Sequence, residues 1–243
     1  MKRSEINRAL RDMEKMIDRC SFKLPPFCYF TPEEWNEKGH EYDEVRDNML
    51  GWDITDFGMG DFDKVGFSLI TLRNGNVSMD KYTKPYAEKL LYMKEGQSAA
   101  MHFHWNKMED IINRGGGNVL IGVYNAGREE ELADTDVRIH SDGREYTVPA
   151  GTQIRLCPGE SITIQPYLYH DFHLEPGTGP VLLGEVSMCN DDNRDNRFYL
   201  PAGRFPVIEE DEPPFRLLCN EYPAAAVVQN DENLRRLNGK GQK

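Results

Sequence analysis

His102 and His104 stand one residue apart in the stretch AAMHFHWNKMEDIINRGGGN, residues 99–118, and Glu109 follows five residues after the second. On an extended strand, residues i and i+2 point to the same face, so both imidazoles aim into one space and Phe103 into the other. Glu109 lies past the end of that strand, and a turn through Trp105–Met108 returns its carboxylate toward the imidazoles. His170 comes much later, after a Gly159 turn, a short apolar strand and Pro166. Three neutral imidazoles and one carboxylate suit a divalent transition ion such as Mn, Fe, Ni, Co or Zn. Four protein ligands leave open positions only on an ion that takes five or six, which favours Mn or Fe over a closed tetrahedral zinc site.

An isolated His-x-His is more often a pair of structural histidines, so the flanking residues decide. Gly96 precedes His102 by six, and Gly115 follows Glu109 by six. This resembles the first signature of the cupin superfamily, glycine, five residues, His-x-His, three or four residues, Glu, six residues, glycine. The last gap here is five residues, so Gly115 or Gly116 can serve. The second cupin signature, glycine, five residues, Pro-x-Gly, two residues, His, is matched more loosely. Six residues separate Gly159 from Pro166, His170 lies four after Pro166, and Leu168 stands where a glycine is usual.

The elements that must hold these ligands are mostly short. Ser4 reads as the N-cap of a helix whose face carries Ile6, Leu10, Met13 and Ile17 and which ends near Cys20. Thr31 and Pro32 open a second helix, as cap and first helical residue. From about Trp52 the chain becomes a series of β-branched and aromatic segments broken by Gly, Asn, Asp or Pro: 65–73, 85–93, 99–105, 118–126, 136–141, 144–150, 152–158, 161–167 and 181–188. That rhythm predicts an antiparallel sandwich or barrel. The expected organisation is an N-terminal helical and extended segment over 1–50, a β-barrel over 51–222 and a loose tail over 223–243. The triple glycine of RGGGN, residues 114–118, lacks the Lys-Ser or Lys-Thr of a phosphate loop and reads as a turn.

A net charge of −12 over 243 residues disfavours nucleic acid and anionic lipid surfaces as partners and suits a neutral or cationic small molecule. No apolar run reaches the length of a membrane span, and the first ten residues do not read as a secretory signal. The five cysteines form no C-x-x-C and read as reduced packing residues, so a cytoplasmic protein is expected. His40, His140 and His173 read as structural. Glu185 sits inside the apolar segment VLLGEVSM, where an unpaired carboxylate is costly, so it is either paired or turned into a cavity. Lys89 shares a strand face with Ala87 and Leu91, while Glu88 points the other way.

Longer segments carry a more specific resemblance over most of the chain to about Tyr222. They include LGWDITDFG (50–58), YAEKLLYM (86–93), MHFHWNKMEDIINRGGGN (101–118), LCPGESI (156–162), LYHDF (168–172), GEVSMCNDD (184–192) and EEDEPPFRLLCNEY (209–222). On these the chain resembles the D-lyxose isomerase family of the cupin superfamily. The resemblance implies a mainly β fold, a cupin jelly-roll barrel with N-terminal helices packed on it, and a homodimer. It also implies a Mn2+ ion, one per chain, held by His102, His104, Glu109 and His170, and conversion of D-lyxose to D-xylulose with weaker action on D-mannose. Such chemistry moves one proton between C2 and C1 and needs the enediolate stabilised. Lys89 is the expected cation beside the metal, and Glu185 the expected base, with Glu109 an alternative that exchanges between ligand and base. Trp105, Asp192 and Arg204 are the expected sugar contacts. A metal-assisted hydride shift usually relies on two ions, and one ligand set is evident. A cupin dioxygenase or a sugar-binding cupin without turnover are the competing readings.

Overall fold

The computed structural model describes residues 1–191 and 194–226. Its helices, α1 (Arg3–Arg19), α2 (Pro32–Trp35) and α3 (Asp43–Asp47), precede the strands. Fourteen strands follow among the described residues: β1 (Gly51–Thr55), β2 (Phe67–Arg73), β3 (Tyr86–Met93), β4 (His102–Phe103), β5 (Glu109–Gly116), β6 (Val119–Ala126), β7 (Leu132–Ala133), β8 (Val137–Ser141), β9 (Arg144–Val148), β10 (Gln153–Leu156), β11 (Ser161–Ile164), β12 (Leu168–Leu174), β13 (Val181–Met188) and β14 (Arg197–Phe198). One sheet runs in the order β1-β2-β3-β13-β5-β11-β8-β9. The other runs β10-β6-β12-β4-β14, with β7 paired to β6.

The two sheets curl face to face around a common apolar filling that includes Leu91, Ile111, Val123, Ile139, Phe172 and Leu183. This is a mainly β barrel, one of the two forms that the strand rhythm predicts and the one that the family resemblance implies. Its larger sheet has a second apolar face. Ile6, Leu10, Met13 and Ile17 of α1 are fully buried against Trp52, Ile54, Ile70, Leu90 and Leu182 on the outside of β1, β2, β3 and β13. Each such aliphatic side chain removed from water contributes about 1.5–3 kcal/mol. Because both faces are covered, β1 is buried along its whole length, and its sequence alternates less clearly than that of a half-exposed strand.

Several elements differ from the sequence reading, each for a tertiary reason. Helix α1 begins at Arg3, ahead of the expected Ser4 cap. Ser4 lies inside the helix, and its amide and hydroxyl both donate to the Asp211 carboxylate at 2.8 and 2.7 Å. A side chain more than two hundred residues away thus supplies the acceptor that a local cap normally provides. The second helix starts as expected: Thr31 accepts from the Glu34 amide, and the Glu34 carboxylate accepts from that of Thr31. Strand β5 occupies a stretch for which no strand is expected and runs into the first three residues of RGGGN, which reads as a turn. Gly116 has φ 99°, and a Cβ there would lie 2.1 Å from the Pro180 carbonyl oxygen and 2.5 Å from the Met16 side chain. The glycine therefore admits the close approach of α1 and the start of β13, and the turn shrinks to its last residues.

Tyr167 precedes β12 in the left-handed region, φ 62°. The special backbone conformation thus falls one residue before Leu168, where the cupin pattern would place its glycine. The Tyr167 ring stacks on Phe103 with centroids 5.2 Å apart, and its amide donates to the His104 carbonyl at 2.9 Å. Those contacts offset a backbone cost of order 1–3 kcal/mol. No helix among the described residues is long and apolar enough to cross a membrane. Truncating the centre of the outer core tests this account: Leu10→Ala is expected to cost about 2–5 kcal/mol of unfolding free energy. The measurement is urea denaturation followed by circular dichroism.

Candidate metal centre and active site

Strand pairing brings the histidines together. His102 on β4 lies directly opposite His170 on β12, and His170 in turn pairs with Val123 on β6. His104 follows β4 on the same side as His102, and the nearest ligand atoms of the three rings all lie within 4.8 Å of one another. The other ring nitrogen of each is tied to a main-chain carbonyl. Nδ1 of His102 donates to Ala100 at 2.8 Å, that of His104 to Asp195 at 2.7 Å, and that of His170 to Leu168 at 2.9 Å. A carbonyl oxygen only accepts, so each Nδ1 carries a proton, and in the neutral ring Nε2 is the nitrogen left to bind a metal. Nε2 of His104 and of His170 are buried and make no hydrogen bond. Burial, aided by the neighbouring His170 and His104, holds His102 well below its ordinary value of 6.5 and keeps it neutral. Three lone pairs directed at one point are a donor set that a divalent ion fits, and the three histidines could hold one.

Glu109 reaches the same point from the other sheet. It opens β5, paired with Ile164 on β11 and Ser187 on β13. Its Oε1 lies 3.4 Å from Nε2 of His104 and 3.2 Å from Nε2 of His170. Burial alone would raise its carboxyl, but the Lys107 ammonium at 2.6 Å outweighs burial and holds it well below the usual 4.5. Glu109 is therefore an anion, the form in which a carboxylate can bind a metal.

A row of charges continues from Glu109 across the inner face of the larger sheet. Lys89 on β3 and Glu185 on β13 are register partners, with Nζ and Oε1 3.5 Å apart. Lys107 Nζ bridges Glu109 Oε2, Glu185 Oε1 at 3.1 Å and Asn190 Oδ1 at 3.2 Å. Glu185 is thus both paired and turned inward, two options the sequence leaves open. All four groups are nearly dry, between 3 and 7% exposed. They line a cavity of about 330 Å3 together with His102, His104, Leu69, Phe198 and Arg204. At its mouth Arg204 donates to Asp53 on β1 at 3.1 Å.

Lys107 is the group that the sequence reading misses. A signal was present: it stands two residues before Glu109, inside the turn that joins two candidate ligands. Asp53 and Asp195 are missed for a different reason, since only pairing across the barrel brings them near. One expected sugar contact falls elsewhere. Trp105 is off the cavity wall, because it shares a face with Phe103 and not with the histidines. Its indole N–H donates instead to Glu130 at 2.8 Å. Asp192 lies outside the described residues.

Known proteins match both the fold and the chain. The L-ribose isomerase of Geodermatophilus obscurus superposes with a TM-score of 0.56 at 14% identity over 86% of this chain and 98% of that one. The Cellulomonas parahominis L-ribose isomerase bound to L-ribose gives 0.55 at 15% identity with the same coverage. At these identities the likeness is one of fold. In sequence, a D-lyxose/D-mannose isomerase of Serratia proteamaculans is 48% identical over 223 residues, 91% of this chain and 98% of that protein. One from Escherichia coli O157:H7 is 47% identical over an equal span. The sequence relatives define a sugar isomerase, carried here on a mainly β barrel. The model of the D-lyxose isomerase family matches residues 1–222, and the chain belongs to that family.

Two outcomes are expected of the site. Replacing His102, His104 or His170 with Ala should weaken divalent-ion binding by at least about 100-fold, measured by isothermal titration. The metal-free protein should also lose stability on acidification. His102 binds a proton more readily unfolded than folded, so unfolding is favoured as pH drops below about 6.5. The contribution of Glu109, present above 4.5, is lost on further acidification toward its depressed folded value. Thermal melts of the metal-free form between about pH 7 and about pH 5 should show a falling midpoint, and His102→Gln should flatten the upper part of that dependence.

Proposed function

We propose that this chain interconverts D-lyxose and D-xylulose, and less readily D-mannose and D-fructose, by proton transfer through an enediol. In this reading His102, His104, His170 and Glu109 hold Mn2+. The observation that carries it is the row Lys89–Glu185–Lys107–Glu109, four alternating charges beside three inward lone pairs on the wall of one cavity. The sequence relatives named D-lyxose/D-mannose isomerase support the choice of substrates.

The reaction needs a base that reaches C2 and C1 of the open-chain sugar and a cationic wall for the oxygens attached to them. A divalent ion bound by the four ligands supplies positive charge at those oxygens without adding a proton. Glu185 is the base in this reading. It takes the proton from C2, exchanges it with solvent and delivers a proton to C1, while the hydroxyl proton on O2 passes to O1 at the enediolate stage, and the Lys89 and Lys107 ammoniums hold its carboxylate in place between them. The same two ammoniums donate to the enediolate oxygens, where preorganised charge in a dry cavity counts most. The pair Arg204–Asp53 binds distal hydroxyls at the mouth. Phe198, Phe57 and Phe67 exclude water from the reacting end.

The test is an anaerobic incubation in deuterium oxide with D-lyxose or D-mannose and added Mn2+. Ketose carrying solvent deuterium at C1 is expected, chelation should abolish turnover, and Mn2+ should restore it. Oxygen consumption without label uptake would point to a dioxygenase, and bound sugar without turnover to a binding protein. Glu185→Gln and Lys89→Ala should keep the ion while losing at least about 100-fold in kcat.

A further inference from the structure

The turn from β4 into β5 carries Asn106 and Lys107, whose amides donate to a side chain and not to a neighbouring strand. One side chain receives them. The Asp195 carboxylate accepts from the Asn106 amide at 2.9 Å and its Nδ2 at 3.1 Å through Oδ1, and from the Lys107 amide at 2.8 Å through Oδ2. The main-chain oxygen of the same residue fixes Nδ1 of His104 at 2.7 Å. Asp195 is itself buried, at 9% exposure. Its position is set two residues further on, where β14 pairs with β4, Arg197 opposite Phe103 and Phe198 opposite His102.

We infer that Asp195 is a positioning residue for the isomerisation, its carboxylate holding the Asn106–Lys107 turn so that the Lys107 ammonium bridges Glu109 and Glu185. The inference rests on the function proposed above and goes beyond it by assigning the placement of that ammonium to a residue remote in sequence and away from the substrate. Three hydrogen bonds to an anion define the turn, and such bonds are roughly twice as strong as neutral ones. Without them two amides lose their acceptor and Lys107 loses its anchor. Displacing a catalytic group by about 1 Å costs on the order of 100-fold in rate. The tie to His104 runs through the main chain and survives substitution of the side chain. Loss of the carboxylate should therefore separate turnover from metal binding.

Asp195→Asn keeps the shape but offers one acceptor oxygen where there were two. It is expected to bind Mn2+ within about threefold of the parent and to lose about 100-fold in kcat. In a double-mutant cycle with Lys107→Ala, the combined variant should be no slower than Lys107→Ala alone, because both changes remove one function. Losses that multiply, or a kcat for Asp195→Asn within about threefold of the parent, would overturn the inference. A second readout does not depend on turnover. Acetylation of Lys107 by a water-soluble acylating reagent, followed by peptide mass spectrometry, should be at least about tenfold faster in Asp195→Asn than in the parent at equal global stability. Unchanged labelling would overturn the inference even in a protein that isomerises no sugar, whereas faster labelling in such a protein would support the positioning role and sink only the proposed function. Asp195→Glu keeps the charge and moves it by one methylene, and it is read in the same way if the Asn variant does not fold.

Discussion

Glu109 is an ionised carboxylate with 3% of its side chain exposed, inside a barrel filled with aliphatic residues. An isolated charge in such a place is costly enough that it would ordinarily be neutralised. It stays charged because the Lys107 ammonium stands beside it, and a cation bound among the three histidines would add to that compensation. The rest of the site follows from that requirement. Lys107 needs a second anion, which is Glu185, and Glu185 has Lys89 across the strand pair. The polar wall of the cavity is one chain of obligations that starts from a single buried charge.

This explains why the barrel is built in two registers of chemistry. One end of the interior is closed by Val119, Ile121, Ile162 and Val181, and it provides the rigidity on which distances of a few tenths of an ångström depend. The other end carries the charged row. The helix α1 and the outer face of β1, β2 and β3 form a second core that stiffens the strands bearing Asp53 and Lys89. A site on paired strands holds its geometry better than one on loops. The exception is the turn at Asn106–Lys107, which is the part held by a side chain from elsewhere.

The histidine tautomers show the same logic at smaller scale. Each ring gives its Nδ1 proton to a main-chain carbonyl, and two of those carbonyls belong to residues two positions earlier in the chain, Ala100 for His102 and Leu168 for His170. The third belongs to Asp195, ninety-one residues along the chain. Local backbone geometry thus orients two of the rings, and only the folded protein can orient the third.

Local pattern alone determined a good deal about this protein. The i, i+2 spacing put both histidines on one face, the apolar period of α1 marked its buried side, and strand rhythm with turn signals identified a β-barrel. Alternation also placed Lys89 on one face with Ala87 and Leu91, and the same rule, applied to Trp105, would have turned that residue away from the histidines. Only the tertiary structure decided the rest: that Glu109 opens a new strand in the opposite sheet, that Lys107 completes the charged row, that Asp211 does the work expected of a cap at Ser4, and that Asp195 holds the turn. The physical reason is that periodicity is a property of neighbours along the chain, whereas the partner of a strand is chosen by burial summed over the whole barrel. A residue's face can be read from its neighbours, but what waits on that face depends on which distant strand is laid beside it.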